Sequence, residues 1–264
     1  MNRNCQPKFR SASRRFVIAV AAHLLFAGGV ALASDWKWSL TPYAWVTDVG
    51  VRVDLDDRSV VDETISAADL LEDLETIAQV RVEAQKGAHG IYFDLFDVTL
   101  SDDAAELTLP RGGSVTVSPE MGMTIAELAG LFDPQGDQQG LQFYYGARLL
   151  NERAEIDATF EPADATAIGR RYDIDDTMVD AMLGLRFLHR FGSRWSFAAA
   201  ADASKGGTEL TWSASSSVGY TLGETGRYTV TGGYRFMEVD FATAGEVEAE
   251  MTLSGFVAGL RIAF

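Results

Sequence analysis

The chain has 264 residues, 47% of them hydrophobic, with a mean hydropathy of zero and a formal charge of −16. Ordinary apolar and charged fractions exclude an intrinsically disordered chain, and the acid excess excludes nucleic-acid binding, which demands clustered Lys and Arg. Fifteen Phe, eight Tyr, five Trp and 25 Gly, against three His and one Cys, are a poor match to a cytosolic enzyme.

The first segment reads as a leader. Arg3, Lys8, Arg10, Arg14 and Arg15 precede an apolar run from Phe16 to Leu32, which ends in Ala31-Leu32-Ala33. A basic start, a short apolar stretch and an Ala-x-Ala end make a secretory signal peptide over residues 1–33. Interrupted by His23, Gly28 and Gly29, the run sits at the low edge of what spans a bilayer. Cleavage after Ala33 removes five basic residues and no acid, leaving 17 basic against 38 acidic and a charge of −21. It also removes Cys5, the one cysteine, so residues 34–264 hold no disulfide, thiol nucleophile or cysteine metal ligand. No later stretch approaches twenty apolar residues, so the single domain expected over 34–264 could cross a membrane only as a closed β-barrel.

Residues 34–264 alternate with period two almost throughout. Strands are expected at 36–47, 76–86, 91–103, 115–133, 141–160, 175–191, 194–205, 208–222, 227–242 and 248–264. In 141–149, Leu141, Phe143, Tyr145, Ala147 and Leu149 oppose Gln142, Tyr144, Gly146 and Arg148. In 178–191, Val179, Ala181, Leu183, Leu185 and Phe187 oppose Asp180, Met182, Gly184, Arg186 and Arg190. In 228–236, Tyr228, Val230, Gly232, Tyr234 and Phe236 oppose Thr229, Thr231, Gly233 and Arg235. Short turn-rich connections fall at 86–90, 133–140, 191–194 and 223–227. Beside them cluster Ile91, Phe93, Phe132, Phe143, Tyr145, Phe187, Trp195, Phe197, Tyr220 and Tyr228, with Trp36, Trp38 and Phe264 at the same level. Aromatics at one height on the apolar face form the girdle of an outer-membrane barrel, a feature that a soluble lipocalin-like barrel of equal periodicity does not need.

Four internal short turns and periplasmic termini give an all-β, antiparallel up-and-down transmembrane β-barrel of about ten strands. Eight result if 115–133 stands outside the barrel, and twelve if 50–64 forms its own hairpin. The connection at 48–75 is strongly acidic and holds Ser66-Ala-Ala-Asp-Leu-Leu-Glu-Asp-Leu74, whose Ser start, early acid and spaced leucines predict a turn or two of amphipathic helix. Loops near 104–114 and 161–174 are expected to be long. The last strand alternates Phe256, Ala258, Leu260, Ile262 and Phe264, and its terminal aromatic reads as the signal for the insertion machinery.

Several motifs resemble a group of uncharacterised bacterial outer-membrane barrel proteins. Trp38-Ser-Leu-Thr-Pro-Tyr-Ala-Trp45 is similar to the LTPYxW-type first strand of that group. Ala68-Asp-Leu-Leu-Glu-Asp-Leu74, Gly90-Ile-Tyr-Phe-Asp-Leu95 and Leu100-Ser-Asp102 follow in the same order, then Gly184-Leu-Arg186, Gly232-Gly-Tyr-Arg235 and Gly259-Leu-Arg-Ile-Ala-Phe264. The resemblance implies the barrel architecture over most of the chain and no activity.

The candidate site is the lumen. By strand parity Lys37, Arg81, Arg148, Arg186, Arg235 and Arg261 point inward, as do Glu83, Asp94, Glu127, Asp180 and Asp202. In a narrow space these charges must pair, and a ten-stranded lumen is only slightly wider than one that side chains fill. The expected result is a structural ion-pair and hydrogen-bond network that fills the barrel, with a narrow polar pore for small solutes as the alternative. Catalysis at the outer rim would need a base poised near neutral pH, but His89 and His189 both fall at the periplasmic end. No phosphate-binding loop, dinucleotide fingerprint, nucleophile elbow or zinc-helix motif occurs, and Asp54-Leu-Asp-Asp57 lacks the calcium-loop glycine. The reading is therefore a monomeric barrel without cofactor, metal site or catalytic residues. Its expected partners are outer-membrane lipids, lipopolysaccharide, periplasmic chaperones and the insertion machinery, with no nucleic acid.

Overall fold

A computed structural model describes residues 36–55, 58–101, 105–108, 113–162, 168–241 and 247–264. The expected signal peptide and its cleavage point lie outside the described residues. In chain order the elements are β1 (Lys37–Leu55), β2 (Arg58–Ile65), α1 (Ala67–Glu72), β3 (Leu74–Lys86), β4 (His89–Ser101), β5 (Ala105–Thr108), β6 (Gly113–Phe132), β7 (Gly140–Pro162), β8 (Ile168–Phe191), β9 (Trp195–Gly206), β10 (Leu210–Leu222), β11 (Tyr228–Phe241) and β12 (Val247–Ala263).

Ten strands, β1, β3, β4 and β6 to β12, pair antiparallel around a ring. β12 closes it on β1 through a ladder from Ser39–Ala263 to Leu55–Val247. The other two are annexes. β2 folds back on the far half of β1, from Val49–Ile65 to Leu55–Arg58, and β5 on the far end of β6, from Ala105–Val117 to Thr108–Ser114. The expected hairpin at 50–64 is therefore real but adds nothing to the ring, and the barrel has ten strands. One end of the ring holds Lys37, Ala263 and the short connections at 87–88, 133–139, 192–194 and 223–227; the opposite end holds the annexes. These are the turn end and the loop end.

β7 has 23 residues and β8 has 24, far beyond the about 9–11 needed to cross a bilayer. Their ladder runs unbroken from Gly140–Leu188 to Phe160–Ile168, and β6 accompanies β7 to Gly113–Pro162. Much of the loop expected at 104–114 and 161–174 is thus strand: backbone ladders continue where no apolar face remains to be seen in the sequence. The helix forms as expected, because Ser66 accepts the Asp69 backbone N–H at 3.3 Å and caps its first turn.

The wall is least regular between β1 and β3. Their ladder runs only from Lys37–Gln85 to Pro42–Val80, and β2 takes the same edge of β1 from Val49 onward. Between the two, the Gln79 side chain accepts the Trp45 backbone N–H and donates to its carbonyl, standing in for ladder bonds beside a proline that has no N–H. Curvature is set by inward-facing glycines. A Cβ at Gly146 or Gly255 would run into the carbonyl of Leu128 or Val46 on the adjoining strand.

The outer face carries the expected apolar stripe, with Leu183 70% exposed and Val179, Leu185 and Phe187 also open. Trp36, Trp38, Phe132, Phe143, Trp195, Tyr228 and Phe264 ring the turn end. Toward the loop end the rings of Trp212 and Phe236 meet at 4.8 Å and those of Tyr234 and Phe256 at 5.4 Å. Beyond this second belt the outer face turns polar: Thr124 donates to Asp97 at 2.6 Å, and Asn151 to Thr177 at 2.8 Å.

Candidate functional site: the lumen

Six of the predicted lumen charges meet in one layer. Arg148, fully buried, donates to Glu127 at 2.8 Å, to Asp202 at 2.6 Å and to Ser204 at 3.2 Å. Arg235 donates to the same Glu127 oxygen at 3.2 Å, and Arg81 pairs with Asp94. Three guanidiniums thus face three carboxylates, and the layer is neutral. Neutrality is necessary here, since an unpaired charge out of water costs several kcal/mol. Remaining lone pairs are taken by hydroxyls: Tyr43 donates to Asp94 at 2.6 Å, Tyr144 to Asp202 at 2.9 Å, Ser213 to Asp202 at 2.6 Å and Tyr92 to Glu127 at 3.2 Å. Each arginine fork comes from a strand whose next inward residue is large, so packing holds it in place.

A second, separate pair lies nearer the turn end. Arg186 binds Glu83 through two nitrogens, each at 2.7 Å, and Gln142 at 2.6 Å. This two-pronged geometry is the arrangement a guanidinium makes best with a carboxylate. Asp180 joins the layer through hydrogen bonds: it accepts from Ser204, the Arg148 partner, at 3.1 Å and from the Thr208 hydroxyl and backbone N–H at 2.6 and 3.0 Å, under the β9–β10 hairpin. Lys37 and Arg261 lie toward the turn end, apart from the central layer.

Immediately above the neutral layer the lumen is apolar. Trp45, Phe96, Ile125, Leu150, Met178, Met237, Val239, Met251 and Leu253, all of inward parity and from seven strands, form one buried cluster. Val49, Val98, Met123 and Phe241 pack on it from the loop side. The Arg235 guanidinium lies 4.7 Å over the Trp45 ring and joins the two layers. Below the charges, Tyr92, Ala129, Leu131, Tyr144 and Met182 fill the β4–β8 side. The β9–β11 side stays open as a cavity of about 470 Å³ lined by Ser196, Ser213, Ser215, Ser217, Thr221 and Thr229, with Arg186, Arg190, Arg194 and Arg261 among the residues around it.

Sequence reasoning found the charges but missed the tyrosines that satisfy them and the apolar layer above them. The signal for that layer was present as paired apolar residues, Trp45-Val46, Leu95-Phe96, Leu149-Leu150, Met178-Val179 and Phe236-Met237, which place one apolar side chain on each face. Both remaining histidines sit at the turn end in aromatic surroundings: His89 lies 5.7 Å from Phe132, and His189 4.6 Å from Phe191. In the acidic connection, Asp48 accepts the Ala67 backbone N–H at 2.7 Å. Among the described residues no group of three or more His, Cys, Asp and Glu side chains is arranged to hold a metal ion.

No protein-family model matches the chain, and no curated protein matches it in sequence. Among solved structures it is similar to the outer-membrane protease OmpT from Escherichia coli, at 10% identity and TM-score 0.43 over 88% of this chain and 98% of that one. It is also similar to the Pseudomonas putida toluene transporter TodX, at 11% identity and TM-score 0.35 over 88% and 91%. A third likeness is to Ail, the attachment invasion locus protein of Yersinia pestis, at 9% identity and TM-score 0.29 over 87% and 100%. The architecture rests on the chain's own strand pairings, a closed ten-stranded antiparallel barrel.

Proposed function

We propose that this protein is a bacterial outer-membrane barrel with a closed lumen and a structural or envelope-interaction role, without catalytic activity. An outward apolar band with an aromatic belt at the turn end and further aromatics on β10 to β12 suits a bilayer, and the short connections support a periplasmic turn end. The observation that carries the closed lumen is the pair of stacked layers: a neutral layer of paired charges roofed by nine buried apolar side chains. A desolvated apolar constriction opposes ions more strongly than a polar one, and moving the roof would break close packing.

On this reading the loop end, with the acidic β2–α1 annex and the projecting β6–β8 sheet, is the part that meets the outside. Its carboxylates suit divalent cations that bridge to lipopolysaccharide. Lipids, periplasmic chaperones and the insertion machinery reading Phe264 are the other partners, and one chain closes the barrel as a monomer. The narrow-pore alternative would begin at the turn-end cavity and must pass the apolar roof. Single-channel recording in planar bilayers separates the two: the current is expected to stay flat, and discrete steps would replace this reading with a pore.

A further inference from the structure

The turn-end cavity is a blind chamber with an unbalanced charge. Every carboxylate lining it is already engaged: Asp94 by Arg81, Glu127 by Arg148 and Arg235, Asp202 by Arg148, and Glu83 by Arg186. Two of its arginines, Arg261 and Arg190, have no carboxylate partner among the described residues. Arg261 makes no hydrogen bond or ion pair among the described residues, although it is only partly open to water. Its charged neighbours are Arg186, Arg190 and Glu83, and Glu83 is held by Arg186. The Arg190 side chain is likewise unengaged among the described residues, whereas the exposed Arg194 donates to the Tyr220 hydroxyl at 3.1 Å, beside Trp195 on the outward face. A chain with a net charge of −16 thus concentrates uncompensated guanidiniums at one mouth of its lumen, where low-dielectric walls focus their field.

The wall between Arg190 on β8 and Arg261 on β12 carries hydroxyls, and Ser196 is the cross-strand partner of Arg190. The side chains of Ser196, Ser215 and Ser217 have no hydrogen-bond partner among the described residues and line the same space. Hydroxyls both donate and accept, which suits a ligand that carries hydroxyls itself. A volume of about 470 Å³ lies in the range of small-molecule sites.

We infer that this chamber binds a small, polyhydroxylated anion from the turn side. Its phosphate or carboxylate group sits on Arg261 and Arg190, and its hydroxyls lie along the serine wall of β9 and β10. Guanidinium forks recognise both anionic groups, so the class is defined by the anion and the polyol together. The inference goes beyond the closed-barrel reading and is measured independently of conductance.

Isothermal titration of the folded protein in detergent micelles tests it, with glucose 6-phosphate, glucuronate, glucose and inorganic phosphate as probes. Glucose 6-phosphate or glucuronate is expected to bind at least about tenfold more tightly than glucose, and the affinity to fall as salt rises. Arg261→Gln and the solvent-exposed Arg190→Gln are each expected to weaken it at least about tenfold, while Arg52→Gln at the loop end leaves it unchanged. The Arg190 variant keeps the test valid if the Arg261 variant misfolds. Absence of binding by both anionic sugars, or binding that survives both chamber substitutions, would overturn the site. Inorganic phosphate binding as tightly as glucose 6-phosphate would overturn the role of the serine wall.

Discussion

The two halves of the lumen are built from the same strands at the same parity, yet they have opposite chemistry. The change occurs within one inward step on seven strands: Tyr43 to Trp45, Asp94 to Phe96, Glu127 to Ile125, Arg148 to Leu150, Asp180 to Met178, Arg235 to Met237 and Gly255 to Leu253. On the turn side the interior is polar, partly open and cationic at its mouth. On the loop side it is packed and dry. Alternation decides which way a side chain faces, but only the identity of successive inward residues decides what the interior does. On the proposed reading the halves have separate duties: the apolar layer closes the barrel, and the charge layer beneath it ties together β1, β3, β4, β6, β7, β9 and β11.

That division can be broken from either side. The largest effect is expected from Arg148→Leu, which leaves Glu127 and Asp202 buried with one cation fewer. Loss of one partner from a buried charge cluster costs about 3–5 kcal/mol, read as a sharp fall in the urea midpoint for unfolding in detergent. An unchanged midpoint would mean that the charge layer is not what orders the turn-side half. Leu253→Ala, in the dry half, is expected to cost about 3 kcal/mol through the cavity it leaves, measured the same way. A cost well under 1 kcal/mol would show that the layer is loosely packed. The smallest effect is expected outside both halves. Lys205 and Glu209 pair at 2.7 Å across the exposed β9–β10 turn, and the ammonium holds the Glu209 carboxyl below its usual range. Solvent screens such a pair, so Lys205→Ala should leave the melting temperature unmoved while the Glu209 carboxyl, followed by NMR titration, returns upward toward an ordinary glutamate. A drop of several degrees would contradict this.

Much of the barrel was legible because its determinants are local. Turn residues at 133–140 and 223–227, the alternation along β8 and the aromatic belt at the turn end each follow from backbone geometry and burial of one face. Ten strands followed from counting turns; the turn-end bounds were close, but β1 runs on to Leu55 rather than 47 and β8 begins at Ile168 rather than 175. The annexes β2 and β5 were harder to read, because their pairing depends on which free edge of β1 or β6 they meet in space. The inward charges were identified by parity alone, but their partners were not. Tyr43 reaches Asp94 over the intervening β3, 51 residues apart in sequence, and Arg235 reaches Glu127 across the lumen and 108 residues, a contact that the curling of the sheet into a ring creates. Asp180 faces inward as parity requires, but that its link to Arg148 runs through Ser204 is set by the β9–β10 hairpin folding over it.

On the proposed reading, the apolar layer is what closes the lumen. Single-channel recording of the wild type beside a Met237→Ala, Leu253→Ala double variant tests it most directly. A silent wild type, with discrete steps only in the variant, is the predicted result. Steps of the same size in both would contradict it.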